Sequence, residues 1–99
     1  MKINQRIKLI HTTERFTQSE FAKLIGVSND IGVRQIESGR IKEVGSAKIE
    51  RICQRFPEYA LWLTIGQVQP PHQISPYLAK TDKHVVDASV RYKTIIKGV

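Results

Sequence analysis

The chain has 99 residues, room for one domain with a modest core, and 40% of them are apolar, too many for a chain that stays disordered. Sixteen Lys and Arg against nine Asp and Glu give a formal charge of +7, an excess that suits a polyanionic partner. A single cysteine, Cys53, excludes an intramolecular disulfide, and the absence of a CxxC or Cys/His cluster leaves no zinc-site pattern.

The first residues, MKINQRIKLIHTTERF, contain no long apolar run. They read as neither a signal peptide nor a membrane anchor, and the expected location is the reducing cytoplasm. From Lys2 to about Thr13, Ile3, Ile7 and Ile10 recur at helical spacing with Leu9 beside them, and Lys and Arg occupy the other face. Thr17-Gln18-Ser19-Glu20 is a capping box, with Phe16 placed to staple onto Phe21. The helix it opens runs through Phe21, Ala22, Leu24 and Ile25 to Gly26, which can take the left-handed conformation that ends a helix.

Val27 to Asp30 forms the next turn, and Ser28 or Asn29 can cap a third helix through about Glu37 with Val33 and Ile36 facing inward. Gly32 weakens that short helix by about 1 kcal/mol relative to Ala and leaves a bare backbone that a partner could approach. Ser38-Gly39 ends it, and Arg40 to Gly45 is a loop. Ser46 is the expected cap of a fourth helix with the stripe Ile49, Ile52, Cys53 and Phe56. Pro57 ends that helix or opens the next, a short one with Tyr59, Leu61, Trp62 and Ile65 as its apolar set, stopped by Gly66. Trp62 reads as a core residue rather than a stacking platform. Residues 67–74 hold the Pro-rich QVQPPHQ and read as a linker. Ser75-Pro76 signals another helix start, and Asp82 to Lys97 reads as helix with Val85, Val86, Tyr92, Ile95 and Ile96 apolar.

Two short helices joined by a tight Gly-containing turn, here Thr17 to Gly39, are the physical signature of a helix-turn-helix, whose first helix crosses the DNA backbone while the second enters the major groove. TQSEFAKLIGVS followed by RQIESGR resembles the Cro and lambda-repressor type of helix-turn-helix, the XRE-like family, over residues 3–66. The FPEYALWLTIG block is similar to the Trp-containing last helix of many such regulators. The resemblance implies an all-α, compact five-helix lambda-repressor-like domain over residues 1–66, followed by a helical or extended C-terminal segment over 75–99.

It also implies roles by position. Gln18 would meet phosphate and a base. Ser28, Asn29, Asp30, Gly32, Arg34 and Gln35 span the turn and the exposed side of the recognition helix. Arg34 can pair bidentately with guanine, and Gln35 or Asn29 with adenine. Ser38, Arg40 and Lys42 would grip phosphates. Asp30, which repels phosphate, would accept from a cytosine amino group or cap the helix.

The chain departs from the family pattern twice. Ser28 to Glu37 is one residue longer than the usual turn plus recognition helix, with the extra residue at Asn29-Asp30, which leaves the register of base contacts open by one position. The family's arginine late in the first helix, which pairs with the Glu of the Ile-Glu-x-Gly exit, falls on His11, so a His11–Glu37 contact is expected.

His11, His72 and His84 lie far apart, and neither a phosphate-cradling glycine loop nor a nucleophile elbow is present, so no metal, cofactor or catalytic activity is expected. Residues 67–99 carry five Lys and Arg against two acids, +3 of the total +7. That segment can add phosphate contacts, complete a dimer or remain a solvated tail, and its apolar set favours the dimer. The first functional reading is a repressor of phage or mobile-element type that binds double-stranded DNA as a homodimer on an inverted repeat. The alternative is an antitoxin-like autorepressor whose residues 75–99 bind a protein partner. A third is a helix-turn-helix scaffold used only for protein contacts.

Overall fold

A computed structural model of the chain describes residues 1–81, and within them the protein is all-α. The helix expected beyond Asp82, with its apolar set, lies outside the described residues. Six α-helices are present among the described residues: α1 Ile3–Thr13, α2 Gln18–Ile25, α3 Asp30–Glu37, α4 Ser46–Arg55, α5 Ala60–Ile65 and α6 Pro76–Thr81, with a 3-10 turn at Pro57–Tyr59 before α5. None is long and apolar enough to cross a membrane.

Local chemistry sets the boundaries. Gln5 Oε1 accepts from the Lys2 N–H at 3.0 Å at the start of α1. At its far end Arg15 sits at φ 62°, a left-handed conformation that costs a non-glycine residue about 1 kcal/mol. The Thr17 hydroxyl accepts from the Glu20 N–H at 3.1 Å, and the Glu20 carboxylate accepts from the Thr17 N–H at 2.9 Å, closing the capping box in both directions. Gly26, at φ 84°, ends α2. The expected cap at Ser46 moves by one residue: Gly45 is the extended residue before α4, and Ser46 is already helical, with no side chain capping the helix.

The core gathers Ile7, Ile10, Phe21, Ile25, Val33, Ile36, Ile52, Phe56, Tyr59 and Leu63, all at 3% exposure or less, and Trp62 is buried with them. The inward face of α5 differs from the sequence pattern. Trp62 and Leu63 are buried, whereas Leu61 is half-buried and Ile65 lies 59% exposed. The tighter winding of the preceding 3-10 turn advances the phase and brings 62 and 63, rather than 61 and 65, onto the core.

The chain after Gly66 is not detached from this core. Residues 67–74, expected to be a linker, close a turn in which Gln69 and Gln73 exchange backbone hydrogen bonds at 2.7 and 3.0 Å. The Gln73 side chain then ties the turn to α5 and the 3-10 turn, accepting from the Leu61 N–H at 2.9 Å and donating to the Pro57 carbonyl at 3.0 Å. Ile74 and Ala79 are buried in the same core, and the Ser75 hydroxyl accepts from the Leu78 N–H as the cap expected there. Residues on both sides of the domain boundary expected at Gly66 thus share one core cluster.

Helix α1 is the strut that the rest leans on. Its buried Asn4 amide donates to the carbonyls of Ile36 and Ile41, both at 2.7 Å, holding the end of α3 and the loop after it. Arg6 Nε donates to the Leu63 carbonyl at 2.9 Å, and Glu14 accepts from the Tyr59 hydroxyl at 2.6 Å. Asn4→Ala removes both hydrogen bonds, leaving the Ile36 carbonyl with the Gly39 N–H at 3.1 Å and the Ile41 carbonyl without this partner. We expect a loss of about 2 kcal/mol in urea unfolding; a loss below about 0.5 kcal/mol would show that the amide is no strut.

Candidate nucleic-acid interface

Helix α3 has eight residues, too few to persist alone in water. Its conformation is set by what caps it and what it docks on. Asn29 Oδ1 accepts from the N–H groups of Ile31 and Gly32 at 3.0 and 3.3 Å. Val33 and Ile36 are fully buried. A helix anchored at those two positions turns Asp30, Ile31, Arg34 and Gln35 away from the core.

The anchoring is completed by a buried polar pair. His11 Nδ1 lies 2.5 Å from Glu37 Oε2, with side chains 7% and 8% exposed. The other ring nitrogen, Nε2, lies 2.9 Å from the Phe16 carbonyl, and the ring stacks on Phe21 at 4.7 Å with planes 7° apart. Both nitrogens therefore face oxygens, and the contact expected from the family pattern is present. Each ring nitrogen has an oxygen partner within hydrogen-bond distance, which is the condition on which a buried polar pair is tolerated.

On the outward side, Arg34 Nη1 donates to Gln18 Oε1 and to Asp30 Oδ2, each at 3.1 Å. The three side chains thus form one cluster bridging the start of α2 and the face of α3, with Arg34 54% and Asp30 42% exposed. A guanidinium has five N–H donors in a planar fork, so these two bonds orient it and leave donors for a ligand. Asp30 does not cap α3, a role taken by Asn29; its Oδ2 accepts from Arg34.

The other expected site residues divide. Ser28, Ser38, Arg40 and Lys42 are exposed and Gln35 is half-buried. Ser38 Oγ donates to the Gln35 carbonyl at 3.3 Å and accepts from the Arg40 N–H at 3.4 Å, shaping the exit from α3. Lys42 lines a cleft of about 460 Å³ with Lys2, Gln5, Ser38 and Gly39, which brings α1 to the edge of the site. One expectation changes: the Asn29 oxygen is committed to capping α3, so its amide is not free for a bidentate pair. Gly32 is half-buried, and a Cβ there would lie 3.2 Å from Val27 Cβ, so the missing side chain eases the approach of α3 to the preceding turn.

Three contributors were missed from the sequence. Lys2 and Gln5 join the site only through the tertiary fold. Ile31, 50% exposed on the outward face, was detectable because it falls out of phase with Val33 and Ile36. Among the described residues no group of three His, Cys, Asp or Glu is arranged to hold a metal ion. No family model and no curated relative matches the chain.

Removing either member of the buried pair strands its partner. We expect His11→Ala and Glu37→Ala each to cost about 3 kcal/mol, with the double variant well short of the sum; strictly additive losses in chemical denaturation would show the two side chains to be independent. The capping box supplies a pH dependence. The Thr17 N–H, followed by the Thr17 hydroxyl, holds the Glu20 carboxyl below its ordinary value of 4.5. A depressed carboxylate stabilises the fold fully above that ordinary value and loses its contribution as the pH falls through the lower folded value. Glu20→Gln is therefore expected to flatten the acid limb of a stability-versus-pH curve, and an unchanged limb would exclude this role.

Proposed function

We propose that this chain is a sequence-specific regulator of transcription that binds double-stranded DNA through a lambda-repressor-like helix-turn-helix, with α2 crossing the backbone and α3 in the major groove. The observation that carries the reading is the Gln18–Arg34–Asp30 cluster: an exposed guanidinium, held in place at the centre of a short helix whose inward face is fully buried. Such an arrangement matches the demands of base reading. The donor fork meets O6 and N7 of guanine, and it is oriented before binding, so less side-chain freedom is lost on contact.

The surrounding residues supply the complementary role. Arg40 and Lys42 follow α3 in an exposed loop, and Lys2 lines the same cleft as Lys42, with Glu37 also on its wall. These cations suit phosphates, which fix orientation and supply salt-dependent affinity without reading sequence. Gln35, one residue beyond Arg34, is the side chain suited to adenine now that Asn29 is committed to its helix. One recognition helix of this length reads few base pairs. The regulator therefore acts as a homodimer on an inverted repeat, with half-sites roughly 34–36 Å apart, and represses where that operator overlaps a promoter.

Selection of bound duplexes from a random pool tests the reading: an inverted repeat is expected, and a flat, purely salt-dependent outcome would overturn it. On the recovered operator, Arg34→Ala is expected to cost about 1–3 kcal/mol and to relax preference at one base pair per half-site. Arg40→Ala is expected to weaken all sequences alike and to reduce the salt slope by about 0.9 per site. Quantitative binding of both variants across a salt series separates the two effects.

A further inference from the structure

Ile31 is half exposed on the outward face of α3, where every neighbouring outward side chain is polar. It takes no part in the core, and the fold makes no demand for a large apolar group there. Its backbone is fixed, because its N–H is bonded to the Asn29 cap at 3.0 Å. Its side chain is also stiff: a β-branched residue in a helix keeps essentially one χ1 rotamer. Ile31 thus presents a fixed apolar surface three residues before Arg34 and four before Gln35, on the same side of the helix.

We infer that Ile31 reads the C5-methyl group of a pyrimidine beside the base pair that Arg34 contacts. The inference rests on the proposal that α3 enters the major groove. There a C5-methyl is the one apolar feature that a base edge offers, so it is the feature an apolar side chain can discriminate. Arg34 is three residues on, and its guanidinium is drawn back toward Asp30, the residue before Ile31, by a 3.1 Å bond that offsets its charge, so the apolar and the donor group address adjoining features of the groove. Thymine supplies such a methyl, and 5-methylcytosine carries it at the same position.

The test uses the full chain and the operator recovered by selection. Each thymine within three base pairs of the Arg34-dependent pair is replaced in turn by deoxyuridine, which deletes only the methyl. Wild type is expected to lose about fourfold at one position, the ratio that corresponds to about 0.8 kcal/mol for one buried methyl, and to be indifferent elsewhere. Ile31→Ala is expected to show no loss at that same position. In a second arm a C·G pair replaces the sensitive pair, with and without a 5-methyl on the cytosine. A gain on methylation seen in wild type and absent in Ile31→Ala means that the methyl itself is read on either base. A response confined to thymine means that the adjoining contacts restrict the reader to T·A.

Ile31 is exposed, so the variant keeps its fold, which circular dichroism and the thermal midpoint verify. An operator on which Arg34→Ala relaxes one position while no deoxyuridine substitution matters overturns this inference and leaves the regulator reading intact. Failure to recover any operator overturns both. A variant that weakens every site alike and dissociates a dimer in sedimentation shows Ile31 to be a protein contact, which also overturns it.

Discussion

The placement of α3 depends on a pair of side chains that water barely reaches. Two apolar anchors, Val33 and Ile36, give an eight-residue helix about 2 kcal/mol each of burial. Such contacts are non-directional and tolerate small rotations of the helix about its axis. The His11–Glu37 pair is directional. It fixes the last residue of α3 to the last turn of α1, while the Phe16 carbonyl and the Phe21 ring fix the imidazole itself. Asn4 adds a second tie from α1 to the Ile36 carbonyl. A helix rotates 100° per residue, so a slip of one position would carry Arg34 toward the core and bring Val33 out. The two polar ties forbid that slip at a place where hydrophobic packing alone is permissive.

With rotation fixed, the charges of the site separate by role. Asp30 offsets the charge of Arg34 within one cluster, so the centre of the α3 face is nearly neutral and rich in directed donors. Cations with no ion pair among the described residues, Arg40, Lys42 and Lys2, stand at its margin. On the proposed function this is a useful division. A strongly basic recognition face would bind any duplex by counterion release, whereas a neutralised one leaves nonspecific affinity to the margin and discrimination to geometry. The carboxylate that looked ill-suited beside phosphate is then an orienting group for the guanidinium.

What could be read from the sequence was what short-range chemistry decides. The Thr17–Glu20 box, the stop at Gly26, the buried phase of Val33 and Ile36, and the start at Pro76 each depend on residues within four positions of one another. Even the His11–Glu37 pair was accessible, because a family pattern stood in for the missing distance information. The reading ran out where one distant bond decides. Gln73 turns a Pro-rich stretch into a pinned turn through bonds to Leu61 and Pro57, and nothing in QVQPPHQ announces them. The phase of α5 was lost to a three-residue 3-10 turn, whose winding differs from the α-helix too slightly to leave a periodic trace. Asn4 carries no local signal of its role, because its two carbonyl partners are 32 and 37 residues away.

Gly32 shows how these levels bear on one another. In isolation it costs α3 about 1 kcal/mol of helix propensity, which the Asn29 cap offsets by about the same amount. The two terms nearly cancel, so α3 is helical because it is docked. The glycine eases that docking, since a Cβ would lie 3.2 Å from Val27 Cβ in the turn before α3, a tight contact that Val27 would have to relieve by shifting a few tenths of an ångström. The packing of α2 and α3 also sets the reach from Gln18 to Arg34, which a single 3.1 Å bond spans. The α2–α3 unit is best regarded as a single folded surface, assembled when the core closes, rather than as a reading helix attached to a scaffold.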